Sequence, residues 1–167
     1  FKMLSSNIGF RLTLFDSGSK VNKRFEPRLS FALPLTPSMT VRASYTRMNQ
    51  FQHLVASSYL DLPTNRWMPS TERAAPMSSN QYSMGLYLSD FHNVDVSLDG
   101  WWKDMDGVML YDGINSFFPP VDNWETRFYS GRGKSYGIEL SSEYADDKIQ
   151  AALYYTLSWS KRRFDKI

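Results

Sequence analysis

The chain contains two pairs of acidic residues whose members are four residues apart, so that in a β-strand both members of a pair would lie on the same face. Asp95 and Asp99 form one pair, and Glu139 and Glu143 form the other. Paired carboxylates can carry out general acid–base catalysis, but no nucleophile or oxyanion donor accompanies either pair. We therefore expect these carboxylates to face arginine side chains or water, and the sequence does not predict an enzyme.

A metal site has weak support in the sequence. His53 and His92 are far apart, and the chain contains no cysteine, so neither histidine has a second ligand at metal-binding spacing. The carboxylates of Asp104, Asp106 and Asp112 could hold a loop cation. An EF-hand is excluded, because aligning the loop on its glycine places a tryptophan at the first ligand position.

A phosphate-binding loop is also excluded. Gly133-Lys134-Ser135 matches the end of such a loop, but Phe128 occupies the position of the required first glycine. The pattern is better read as a loop entering a strand. The sequence therefore predicts no catalytic residue, no cofactor and no resident metal.

Two further groups of residues suit binding rather than catalysis. Aromatic side chains in the long loops could stack on a sugar or apolar nutrient, although packing of the loops onto themselves is the favoured interpretation. The loop aromatics are Tyr59, Trp67, Phe117, Phe118 and Trp124. Arg11, Arg28 and Arg42 could guide an anionic substrate, but ion pairing inside a barrel that holds a second domain is favoured.

The elements that must position these residues are β-strands, as segment 26–48 shows most clearly. Its apolar side chains, including Leu29, Phe31 and Leu33, alternate with polar or small ones, and the alternation resumes after a turn at 36–39. Strict alternation over this length indicates strands. The same pattern along the whole chain predicts an all-β fold: an antiparallel up-and-down meander of about seven strands, with no credible helix.

The connections between the predicted strands alternate in length. We expect short turns at 36–39, 89–93 and 145–147, and long connections at 16–25, 49–80 and 105–133. In a meander, all the short turns then fall at one end, which is typical of an outer-membrane barrel. The long segment 49–80 is expected to be a functional or partly folded loop.

The two predicted strand faces differ in chemistry. One is apolar, with tyrosine or tryptophan near the strand ends, which suits a membrane interface. The other carries charged residues that we expect to face a lumen or a plug: Arg11, Arg28, Arg42, Asp95, Asp99, Glu139 and Glu143. The alternative is a soluble all-β module that binds a ligand such as a carbohydrate. In that case Ile8, Leu29, Val41 and Ile138 would pack in a core between two sheets.

Composition narrows the choice further. The 167 residues include 19 basic and 17 acidic side chains, a net charge of +2 that gives no footprint for nucleic acid. The apolar runs are too short for a membrane-spanning helix. The first residues do not form a signal peptide, so we expect the chain to be an internal piece of a longer protein.

Several stretches together resemble the barrel of TonB-dependent outer-membrane receptors, in the form common in the Bacteroidetes. The matching stretches are EPRLSF at 26–31, SMTVRASYTRMNQFQHL at 38–54, LPTNRW at 62–67, WWKDMDGVMLY at 101–111, WE at 124–125, GRGKSYGIEL at 131–140 and ALYYTLSWSKRRF at 152–164. Each is modest alone, and the ordered set is fairly specific. One departure is Asn65, where the family pattern would have Asp.

The resemblance implies a bacterial outer-membrane protein that imports a nutrient such as a glycan, peptide or siderophore. It implies a barrel of about 22 strands around a plug domain, of which residues 1–167 form part. The implied partners are the rest of the barrel, the plug, the TonB complex through segments outside this chain, outer-membrane lipid and, in some receptors, a surface lipoprotein.

Overall fold

The computed structural model describes residues 3–18, 20–55, 66–111 and 124–164. Within these ranges the chain forms nine strands and one 3-10 turn at Trp124–Arg127. The strands are β1 (Ser5–Asp16), β2 (Val21–Pro34), β3 (Met39–Gln50), β4 (Gln52–Val55), β5 (Arg66–Pro69), β6 (Met77–Phe91), β7 (Val94–Tyr111), β8 (Phe128–Ala145) and β9 (Gln150–Phe164). Among the described residues, no helix is long and apolar enough to cross a membrane.

Seven of the strands form one antiparallel sheet in the order β1-β2-β3-β6-β7-β8-β9. Apart from the inserted hairpin of β4 and β5, each strand pairs with the next one along the chain. The predicted seven-stranded up-and-down meander is therefore confirmed. β1 and β9 lie at the two edges of the sheet.

The three predicted short turns are confirmed, and all lie at one end of the sheet, here called the short-turn end. Between β2 and β3, Leu35 N donates to Met39 O at 2.7 Å. Between β8 and β9, the Asp146 carboxylate accepts hydrogen bonds from Lys148 N and Ile149 N at 2.7 and 2.6 Å. Tight turns fix the register of the antiparallel strands that they connect.

The opposite end, here called the long-loop end, differs from the prediction in its first connection. The prediction of a long loop at 16–25 is wrong, because β2 begins at Val21, and Val21 pairs with Asp16 of β1. Lys23 and Arg24 stand on opposite sides of β2, so the sequence there shows no clear apolar alternation. The hairpin is nevertheless continuous, with Arg24 opposite Thr13.

The other two connections at this end are shorter than predicted. Segment 49–80 is partly folded, as expected: β3 runs to Gln50, β4 and β5 form a hairpin, and β6 begins at Met77. In segment 105–133, β7 continues to Tyr111 and β8 begins at Phe128. A bulge at Gly107, which has φ of +73°, shifts the register and conceals this extension in the sequence.

The sheet has an apolar side and a polar side, as the alternation predicted. On the apolar side, Ile8 is 70% exposed and Ile138 is 47% exposed, so no core between two sheets covers them. Further large side chains on this side are also exposed: Phe10, Leu12, Phe31, Leu33, Met84, Leu86, Leu98 and Leu153. An apolar surface of this extent requires a nonpolar environment, and the arrangement expected for a soluble sandwich is not observed.

Five aromatic side chains form a continuous row across the apolar side. They occupy paired positions on five neighbouring strands. In sheet order the aromatic row is Tyr45, Tyr82, Trp102, Tyr136 and Trp159. The ring centroids of Tyr45 and Tyr82 are 5.0 Å apart, those of Trp102 and Tyr136 4.9 Å, and those of Tyr136 and Trp159 5.3 Å. Cross-strand aromatic pairs stabilise a sheet. Here the five rings also lie at one height along the strands.

Candidate functional site on the polar side and the long-loop end

A row of polar-side residues crosses the middle of the sheet. Arg42 on β3 pairs with Gly85 on β6, Gly85 pairs with Asp99 on β7, and Asp99 pairs with Glu139 on β8. Three of the seven charged residues predicted to face a lumen or plug are thereby brought together. Arg28 and Arg11 lie on the same side, toward β1.

Local contacts fix the centre of this row. Tyr87 donates a short hydrogen bond to the Asp99 carboxylate, and the guanidinium carbon of Arg42 lies 4.4 Å from the centre of the Tyr87 ring. Gly85 leaves the necessary space, since a side chain there would collide with the Asp99 carboxylate. Nothing in the sequence singles out Tyr87, because only the strand register brings it to Asp99.

An open cleft lies over the same part of the polar side. It has a volume of about 260 Å³, and its lining includes the Arg42, Tyr87 and Asp99 cluster. Small hydroxyl side chains complete it, and Ser44 Oγ lies 2.7 Å from Ser83 Oγ. A surface of hydroxyls, one guanidinium and one carboxylate can hydrogen-bond a polar polypeptide segment.

The structure pairs the four predicted carboxylates across the strands, Asp99 with Glu139 and, nearer the short-turn end, Asp95 with Glu143. Asp95 and Glu143 are directly opposite each other on β7 and β8. Asp95 accepts a hydrogen bond from Asp90 N at 2.7 Å, and Glu143 accepts one from the Tyr154 hydroxyl at 2.6 Å. These donors offset the repulsion between opposed like charges, so the pair has a structural explanation.

An ion pair with a buried carboxylate stands at the β1–β2 hairpin. Arg11 Nε lies 2.9 Å from Glu26 Oε2, and the Glu26 side chain is only 1% exposed. Glu26 Oε1 also accepts hydrogen bonds from Asn49 N at 2.8 Å and Asn49 Nδ2 at 3.1 Å. Glu26 was not singled out from the sequence, although it stands opposite Arg11 in the hairpin. The residues that bury Glu26 all belong to this chain. Through Arg11 and Asn49, the Glu26 carboxylate links β1, β2 and β3.

The predicted loop aromatics divide into two kinds. Trp124 is 6% exposed and belongs to a small core with Val55, Ala74 and Tyr111. Its ring packs edge-on against Phe128 at 5.5 Å. Trp67 on β5 is 60% exposed and presents its ring to solvent. Tyr59, Phe117 and Phe118 lie outside the described residues.

The β4–β5 hairpin and the small core around Trp124 form a folded unit at the long-loop end, here called the cap, and His53 on β4 belongs to it. It is 2% exposed, and its Nε2 lies 2.9 Å from the Ser70 hydroxyl. Burial lowers the pKa of His53, against the opposing effect of hydrogen bonds with the Ala74 and Ala75 backbone. Through the Ser70 hydroxyl, the buried imidazole links β4 to the residue that follows β5.

The candidate cation ligands have partners inside the protein. Asp104 accepts a hydrogen bond from Trp102 Nε1 at 2.8 Å and lies 4.0 Å from Lys134 Nζ. Asp106 lies 3.7 Å from Arg132 Nε, and Asp112 lies outside the described residues. Within the described ranges, no group of three or more potential ligands is placed to hold a metal ion.

An open antiparallel meander with one apolar side, one polar side and a continuous aromatic row is the wall of a transmembrane-type β-barrel. A family model described as TonB dependent receptor-like, beta-barrel matches residues 2–166, and the chain belongs to that family. It is a family of outer-membrane receptors and transporters rather than of enzymes. No curated protein matches the chain.

Proposed function

We propose that this chain forms an arc of the wall of a TonB-dependent importer in the bacterial outer membrane. In this proposal the apolar side faces lipid, the polar side faces the lumen and plug, and the long-loop end faces the cell exterior. The observation that carries the proposal is the aromatic row, because such rows stand at the membrane–water interface of barrels.

The height of the apolar band supports the placement of the apolar side against lipid. Along β7, apolar-side positions run from Val94 near the short-turn end to Trp102 in the aromatic row. These eight residue steps span about 26 Å along the strand, and about 20 Å along the membrane normal at a tilt of about 40°. An apolar band of about 25 Å is usual for such barrels. Strand β7 then continues beyond the row to Tyr111.

The polar side provides the surface on which a plug would dock. Arg42, Asp99 and Glu139 form one charged row, and Arg28 extends it toward β1. Asp95 and Glu143 are held by local donors closer to the short-turn end. We assign these residues to contacts with the plug or with lumen water, and Arg11 to the structural pair with Glu26.

The long-loop end would capture the nutrient. Trp67 offers an exposed ring, and we keep Tyr59, Phe117 and Phe118 as further proposed ligand contacts. A cleft of about 270 Å³ on the polar side includes Met48, Met77 and Met105, and methionine adapts to varied apolar groups. Capture would be followed by plug rearrangement driven through the TonB complex, with no bond chemistry. A surface lipoprotein would have to cover this same end.

Site-specific photo-crosslinking at two adjacent positions on β7 tests the two-sided arrangement. Ser97 is on the polar side, and Leu98 on the apolar side is 49% exposed. With benzoylphenylalanine at 97, we expect crosslinks to plug polypeptide of the same receptor; at 98, we expect crosslinks to phospholipid. Crosslinks from position 98 to protein, with none to lipid, would show that the apolar side is a buried protein core.

A further inference from the structure

Three methionine side chains form an apolar patch on the polar side of the sheet, toward the long-loop end. Met48 on β3 and Met105 on β7 both lie opposite Ser79 on β6, and Met77 is two residues before Ser79 on the same strand. These positions share the polar side with Asp99, because side chains alternate along a strand. We call the three methionines the methionine patch. The lumen side of a barrel wall is usually polar, so an apolar patch there departs from the pattern.

The methionine patch lines the cleft of about 270 Å³, together with the buried Val108. A Cβ atom at Gly133 would lie 2.8 Å from Met105 Cε, so the glycine leaves the room that this methyl group occupies. Met48 is 37% exposed, so the patch is open to the space above the polar side. Unbranched thioether side chains adapt to irregular apolar groups. The cleft therefore suits a flexible apolar chain.

The charge in the cleft indicates what such a chain would carry. Among the described residues that line the cleft, Lys103 is the one that bears a charge. It is two residues before Met105 on the same side of β7, about 7 Å along the strand and nearer the middle of the sheet. Its ammonium group disfavours a metal cation among the thioethers and favours an anion beside them. The hydroxyl of Ser79, which also lines the cleft, can donate a further hydrogen bond to that anion.

We propose that this cleft binds a carboxylate attached to an unbranched apolar chain, as in a fatty acid. The proposal rests on the proposed function, and it names the class of nutrient that this part of the wall would hold. The carboxylate would meet Lys103, and the chain would run along Met105 and Met77 toward the long-loop end. The methionine patch begins three residues beyond the aromatic row, about 10 Å along the strands. In the proposed orientation this level is the outer part of the lumen, which a nutrient reaches before the plug moves.

Methionine-methyl NMR of the complete receptor in lipid nanodiscs tests the proposal. The receptor carries ¹³C-labelled methionine methyl groups and is titrated with hexanoate, octanoate and 1-octanol. We expect octanoate to shift the signals of the methionine patch, and affinity to rise about fourfold for each methylene added to the chain. Octanol has the same chain without the charge, so it should bind at least about tenfold more weakly.

Two variants separate the contribution of the charge from that of the apolar chain. Lys103→Gln should remove the preference for octanoate over octanol. The matched control, Lys148→Gln, removes a charge near the short-turn end and should leave the preference unchanged. Met48→Gln with Met77→Gln keeps the length of both side chains but makes them polar. Read from the Met105 methyl, this double variant should weaken the binding of both ligands at least about tenfold.

Three results would overturn the proposal. Equal affinities for octanoate and octanol would show that Lys103 does not select an anion. A shift confined to Met84, which is 65% exposed on the apolar side, would show that the chain enters lipid only. No shift of the methionine patch with any ligand would show that plug polypeptide covers the cleft. Failure of the proposed function looks different, because the probe at Leu98 would then crosslink to protein instead of lipid.

Discussion

Replacing Arg11 by methionine should weaken the β1–β2 hairpin by about 3 kcal/mol, because it leaves a buried carboxylate without its counter-charge. Glu26 is 1% exposed and would keep only its two hydrogen bonds from Asn49. The estimate is at the lower end for a broken buried pair, since Arg11 itself is 58% exposed. Hydrogen exchange of β1 and β2 amides in the complete receptor should accelerate about a hundredfold.

The reciprocal variant provides the control. Glu26→Gln keeps an oxygen for the Asn49 donors and leaves the guanidinium of Arg11 free to be solvated, so it should cost only about 1 kcal/mol. Combining it with Arg11→Met removes both charges and should restore most of the stability. If Glu26→Gln opens the hairpin as much as Arg11→Met does, the burial of the carboxylate is not what makes the pair important.

Replacing Trp124 by alanine should unfold the cap at the long-loop end. The side chain is 6% exposed and packs against Phe128 in a core with Val55 and Ala74, so truncation should cost about 3–5 kcal/mol. Ala74 is 1% exposed and follows an exposed Arg73. Trypsin cleavage after Arg73 needs local opening, and its rate should rise at least a hundredfold at this cost.

Trp67→Ala is the matched control, because it removes the same side chain from an exposed position in the same cap. At 60% exposure, its loss should change stability by less than about 0.5 kcal/mol and leave cleavage after Arg73 unchanged. Equal cleavage of the two variants would contradict the division of these tryptophans into one core residue and one exposed ring.

Alternation alone was sufficient to predict the seven-stranded meander and its two sides. It was insufficient where charge or a bulge interrupted the pattern. At the start of β2, Lys23 stands on the apolar side opposite Leu14, so the strand looked like part of a loop. In β7, the bulge at Gly107 moves later residues to the other side of the sheet, which hid the four residue pairs from Val108–Gly131 to Tyr111–Phe128.

The sequence predicted the side of the sheet on which each candidate site residue lies, but not how these residues are arranged relative to one another. The side on which Arg42, Asp99 and Glu139 lie follows from parity within each strand. Their alignment into one row follows from the register between strands, which a single sequence does not encode in a readable form. The same limit explains why Glu26 and Tyr87 were missed, since both acquire their roles through partners on other strands.

The most direct test of the membrane-facing wall is tryptophan quenching by brominated lipid in the reconstituted receptor. Trp102 belongs to the aromatic row, whereas Trp101 next to it lies on the polar side. We expect Trp102→Phe and Trp159→Phe each to reduce the quenchable fluorescence, and Trp101→Phe to leave it unchanged. Equal loss from Trp101→Phe and Trp102→Phe, or no lipid quenching of either residue, would contradict the two-sided barrel wall.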